Sequence, residues 1–129
     1  MATARAAQQG ASLEEAATVA QQAASRSQCF VLLDTLEYLV RGGRASRLQG
    51  FLGSLLDIKP VIMVRDGETH PVDRVRTRRR VLQKLEGIVA AQGNLHALGL
   101  LHSVCRDDAD ALADGCSPYF PRERIVISE

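Results

Sequence analysis

The stretch Pro60-Val61-Ile62-Met63-Val64-Arg65-Asp66-Gly67-Glu68, continued by Pro71-Val72-Asp73-Arg74-Val75, decides the fold class of this chain. Pro60 to Val64 predicts a strand, with proline near its start, where a missing N–H is tolerated. Asp66-Gly67 then predicts a hairpin, because the tightest hairpin turns need residues that accept positive φ. Pro71 to Val75 predicts the partner strand. Thr77 is placed to cap a helix whose apolar positions Val81, Leu82, Leu85, Ile88 and Val89 recur at helical spacing. Gly93-Asn94 ends that helix. A hairpin running directly into an amphipathic helix needs the helix to cover the sheet. The expected class is therefore α+β, with mixed α/β layers and a small hairpin sheet packed against helices.

Moving outward toward the amino terminus, Ala2 to Gln9 can form a short helix stopped by Gly10. Ser12-Leu13-Glu14-Glu15 reads as a capping box. Behind it Leu13, Ala16, Ala17, Ala20, Ala23 and Ala24 form an apolar, small-sided helical face. Cys29 to Leu33 is a continuous apolar run that predicts a buried strand. Asp34 can cap a helical turn, with Glu37 three residues on and Leu36, Leu39 and Val40 facing inward. Arg41-Gly42-Gly43-Arg44 breaks the pattern. Ser46 can start a further helix with a stripe of Leu48, Phe51, Leu52, Leu55 and Leu56. Gly50 and Gly53 lie inside it, each costing about 1 kcal/mol relative to alanine. They serve either close backbone packing or room for a ligand chain.

Toward the carboxyl end, Leu95 to Leu101 predicts another buried strand and Asp107 to Ala113 a short helix. Pro118 and Pro121 mark a loop, and Ile125-Val126-Ile127 a final strand. The chain stops two residues after that run, as a cut domain would.

The totals restrict function. At 129 residues the expectation is one domain, residues 1–129. Sixteen basic residues nearly cancel fifteen acidic ones, so no global field draws the chain to DNA or an anionic membrane. Cys29, Cys105 and Cys116 fit neither a disulfide framework nor a metal or redox pair, and they read as free thiols of a reducing compartment. No secretory leader opens the chain, and no stretch has the roughly 18 apolar residues that span a bilayer. The expectation is a cytoplasmic protein without stable membrane insertion. With no tryptophan and only five other aromatics, any pocket is expected to be aliphatic.

Catalysis finds little support. His70, His96 and His102 lack metal-ligand spacing, and no G-x-S-x-G or H-E-x-x-H occurs. No catalytic or metal site is expected. His102 reads as a hydrogen-bonded structural histidine. Gly42-Gly43-Arg44 before a helix is a weak anion-loop signal. Arg74, Arg76, Arg78, Arg79 and Arg80 place five arginines in seven residues, enough to bind phosphates. Without interleaved aromatics most of them read as a solvated face. Arg76 differs: strict alternation would put it opposite Val75 and on the side of Val72, where it could reach a cleft.

Asp34-Thr35-Leu36-Glu37-Tyr38-Leu39 with Gly42-Gly43-Arg44 closely resembles the DegV family. So do Leu52-Gly53-Ser54-Leu55-Leu56-Asp57-Ile58-Lys59-Pro60, Asp66-Gly67 and Val75-Arg76-Thr77-Arg78, in order and in register over residues 8 to 90. Family members are two-domain proteins that bind a long-chain fatty acid, some presenting it to a fatty acid kinase. The resemblance implies a non-enzymatic second domain that holds the acyl tail. It implies no cofactor beyond a long-chain fatty acid as ligand, and a missing amino-terminal domain as partner. Arg76 and Thr77 match the segment near the carboxylate. The ligand set it suggests is Arg76, Thr77, Gly50, Leu52, Gly53 and Leu56, with Gly43 and Arg44 contacting an anion or partner. Ala45 departs from the family's branched residue, and its late His-Thr-Gly-Pro-Gly segment is absent. A nucleic-acid-binding module using the arginine run is the alternative; the carrier reading itself involves no nucleic acid.

Overall fold

The computed structural model describes residues 2–43 and 58–129. Two helices lead: α1 (Ala2–Gln8) and α2 (Leu13–Arg26). The expected capping box is formed, with Ser12 Oγ accepting from the Glu15 N–H and Glu15 accepting from the Ser12 N–H at 2.7 Å. Gly10 turns between the helices at φ +87°, a conformation that favours glycine. The apolar face of α2 buries no residue, and Leu13 is exposed.

Strands β1 (Cys29–Leu32), β2 (Lys59–Arg65) and β3 (Glu68–Val75) form an antiparallel sheet in that order. Asp66 and Gly67 both have positive φ, as the expected tight hairpin requires. The partner strand begins at Glu68, before the expected Pro71. Register places Val31 opposite Ile62 and Leu32 opposite Val61. The two pairs therefore point to opposite faces. On one face Ile62 packs with Val31, Leu33, Leu36 and Leu39. On the other, Val61, Val75 and Val81 pack with Leu32, Val72 and Leu85. Burial on both faces explains why β2 reads as an unbroken apolar run, whereas β1, expected buried, is only partly so and exposes Cys29. Fully burying a side chain such as Val61 or Ile62 contributes about 1.5 to 3 kcal/mol.

Helix α3 (Glu37–Arg41) carries Leu36 and Leu39 onto the sheet, but Val40, expected inward, is 42% exposed. Asp34 does not cap α3 either. Thr35 Oγ1 accepts from the Glu37 N–H, and Asp34 is drawn into ion pairs described below. The expected helix from Ser46 to Leu56 lies outside the described residues.

Helix α4 (Arg78–Ala90) is shared between two cores. Val81 and Leu85 face the sheet, while Leu82, Leu85 and Val89 join Leu112, Ala113, Cys116, Phe120 and Ile125. Helix α5 (Arg106–Cys116) outlasts the expected Asp107–Ala113 by covering this second core. The expected strand Leu95–Leu101 shortens to β4 (Gly99–Leu101), which pairs in parallel with β5 (Val126–Ser128). Leu95 and Leu98 still pack inward from irregular backbone. Leu101, expected buried, is exposed because the outer side of β4 is uncovered among the described residues. His102 Nδ1 is buried without a hydrogen-bond partner among the described residues, against the expectation of a bonded histidine.

Candidate ligand-binding site

The ends of several elements converge where β3 turns into α4. Leu33 donates its N–H to the Pro60 carbonyl at 3.2 Å, so the end of β1 lies beside the start of β2. Lys59 sits opposite Val75 at the end of β3. Arg76 and Thr77 follow at once. Thr77 is the expected N-cap: its backbone is extended and its Oγ1 accepts from the Arg80 N–H. A capping hydroxyl still has its own proton to donate, so Thr77 can serve the helix and an anion together. The positive end of the α4 dipole favours such an anion.

Arg76 is exposed, and its side chain has no ion pair or hydrogen bond among the described residues. The two acids that could have paired with it are otherwise engaged. Asp73 binds Lys84 at 2.8 Å and accepts from the Arg74 N–H at 2.7 Å. The hydrogen bond from Lys84 is the main reason its carboxyl lies below the usual range. Glu68 lies 4.0 Å from His70. The alternation argument for Arg76 needs one correction. The register shifts between Val61 and Ile62, leaving Val72 as the extra residue of β3, and Val72 packs in the cluster of Val75. A bulge of this kind breaks strict alternation, so Val72 does not mark the side of Arg76.

Arg78 departs from the solvated reading. Its Nε donates to Asp108 Oδ2 on α5 at 2.5 Å, and its Nη1 lies 3.3 Å from Asp34 Oδ1. Lys59 Nζ donates to the same Asp34 oxygen at 2.6 Å. The hydrogen bond from Lys59, supported by the charges of Lys59 and Arg78, holds the Asp34 carboxyl below its ordinary value. The hydrogen bond that Arg78 donates to Asp108 likewise strengthens the charged state of Arg78. Asp34, Lys59 and Asp108 were not among the expected site residues. No local signal could reveal them, because the partners are 25, 44 and 30 residues apart. Arg79 and Arg80 are exposed, as expected.

Gly43 follows α3 at φ +70°, with its N–H donating to the Val40 carbonyl. The positive φ accounts for glycine there. Arg44, Gly50, Leu52, Gly53 and Leu56 lie outside the described residues. The described residues contain no cluster of three or more His, Cys, Asp or Glu able to hold a metal. No helix among them is long and apolar enough to cross a membrane. All three cysteines are free, and burial raises the Cys116 thiol above its usual value.

The profile of the family described as "uncharacterised protein, DegV family" matches residues 1–129. The chain belongs to the DegV family. A DegV domain-containing protein of Streptomyces coelicolor is 36% identical over 116 residues, covering 88% of this chain and 41% of that protein. A DegV family protein of Thermus thermophilus, described as fatty-acid binding, superposes with a TM-score of 0.79 at 26% identity, over 97% of this chain and 46% of that one. A fatty-acid-binding DegV protein of Streptococcus agalactiae superposes at 0.84 with 24% identity, over 98% and 46%, and shows the shared fold. The α+β class is thereby established for this DegV chain, which spans less than half the length of these relatives.

Proposed function

We propose that this DegV chain is the tail-holding second domain of a two-domain, non-enzymatic cytoplasmic carrier of long-chain fatty acids, in which Arg76 and Thr77 face the carboxylate. The observation that carries the reading is Arg76, exposed and without a partner among the described residues, immediately before the Thr77-capped start of α4. Arginine can take a carboxylate through two parallel hydrogen bonds, and the helix end adds favourable potential. The family relation and the fatty-acid binding of the Thermus thermophilus relative support the ligand class. Burial of each methylene contributes about 0.8 kcal/mol, so a long tail outweighs one ion pair. Presentation of the carboxylate to a fatty acid kinase follows from the family resemblance, and the amino-terminal DegV domain would complete the site. The nucleic-acid alternative has lost ground, because Arg78 is committed to two aspartates.

Mass spectrometry of lipid retained by the two-domain protein, this chain joined to an amino-terminal DegV domain, tests the proposal. A stoichiometric long-chain fatty acid is expected. Lipid-free protein that also ignores added fatty acid overturns it.

A further inference from the structure

We infer that Asp34 is a positioning residue, clamping the Arg76-Thr77 corner through Lys59 and Arg78 so that the corner is set for a carboxylate. This deepens the carrier reading and rests on it. Asp34 ends the β1 connection and precedes α3. It holds Lys59, the first residue of β2, at 2.6 Å, and Arg78, the first residue of α4, at 3.3 Å. Arg78 is held in turn by Asp108 from α5. One carboxylate thus ties together the strand start, the helix start and the connection into α3.

The charges along Lys59, Asp34, Arg78 and Asp108 alternate and sum to zero. Lys59, Arg78 and Asp108 are each about one-third exposed or less, while Asp34 is 65% exposed. An exposed carboxylate contributes little to folding by itself. Its removal should therefore leave the fold intact while loosening the two cations it spaces. Arg78 adjoins Thr77 in the chain, so its anchorage limits how the corner can turn. The cost falls on geometry: a small misplacement of a bidentate donor is enough to weaken a charge-assisted bond.

The test separates head-group recognition from tail burial. Affinities for hexadecanoic acid and for hexadecanol, which has the same tail and no carboxylate, are measured by calorimetry on the two-domain protein. Asp34→Asn should bind the acid about fivefold more weakly, equivalent to about 1 kcal/mol. Its affinity for the alcohol should be unchanged, and Asp34→Glu should restore the acid. Equal loss for both ligands would make Asp34 only a fold stabiliser and overturn the inference. No loss for either would overturn it as well. If the unmutated protein binds neither ligand, the carrier reading fails. Hydrogen exchange of the 129-residue chain then judges the clamp separately. Faster exchange of the first-turn amides of α4 in Asp34→Asn supports it, and unchanged exchange removes it.

Discussion

Arg78 Nε and Asp108 Oδ2 lie 2.5 Å apart, joining the first turn of α4 to the first turn of α5. The pair resolves a local conflict, since a cation in a first helical turn opposes the dipole, whereas Asp107 and Asp108 suit theirs. Asp108→Asn removes the less exposed of the two carboxylates that hold Arg78 and leaves it with the exposed Asp34. A loss of about 1 to 2 kcal/mol is expected, between the values for an exposed pair and for a hydrogen bond to a charged group. Urea unfolding measures it. An unchanged midpoint would show that the helix starts are held by Val81 and its neighbours alone.

Acid should destabilise the protein through its paired aspartates. The carboxyls of Asp34, Asp73 and Asp110 lie below their ordinary value near 3.8, chiefly because of hydrogen bonds from Lys59, Lys84 and Arg106 respectively. A depressed folded value means the unfolded chain takes up protons first. The stabilisation is fully present above the unfolded value and is lost as pH falls through the folded ones. Urea midpoints should therefore hold above about pH 5 and decline below about pH 4. Asp34 is exposed and Asp73 and Asp110 are partly exposed, so solvent screens all three and the decline is modest. The variant with Asn at positions 34, 73 and 110 should show a flatter decline; an equal slope would assign acid sensitivity to other groups.

The outer face of the parallel pair should make the isolated chain self-associate. Leu100 and Ile127 face the core, while Leu101 and Val126 are 84% and 56% exposed. Parallel strands are ordinarily covered on both faces, and exposed apolar patches mark interaction surfaces. Sedimentation should show mass rising with concentration, and Leu101→Ser with Val126→Thr should suppress it. A strictly monomeric chain at high concentration would show that this face is tolerated in water.

Arg76 and Arg79 should part company in fatty-acid binding. Both are exposed, yet Arg76 lies before the helix cap and Arg79 lies inside the first turn. In the two-domain protein Arg76→Lys should weaken binding by about 1 to 3 kcal/mol, because lysine cannot reproduce the bidentate geometry. Arg79→Ala should change it hardly at all. Equal affinities by calorimetry would remove Arg76 from the site, and a larger loss for Arg79→Ala would move recognition to the arginine face.

The amino-acid sequence by itself determined the features that depend on residues a few positions apart. The Ser12–Glu15 capping box, the Asp66-Gly67 hairpin, the Thr77 cap and the apolar stripe of α4 are of this kind, since each is a short-range backbone or periodicity requirement. The resemblance carried by Asp34 to Gly43 and by Val75 to Arg78 likewise located the family. Tertiary structure alone decided the rest. Asp34 looks like a helix cap until folding brings in Lys59 and Arg78, whose charges outcompete a backbone N–H for its oxygens. Val72 alternates correctly on paper until a register shift turns it into the cluster of Val75. Leu101 reads as core because hydrophobicity is local, but exposure depends on what lies across the strand. The arginine run reads as one solvated face, yet Arg78 is fastened to Asp34 and Asp108 while Arg76 has no partner among the described residues. Ion pairing and burial join residues distant in sequence, and only the folded chain sets those distances.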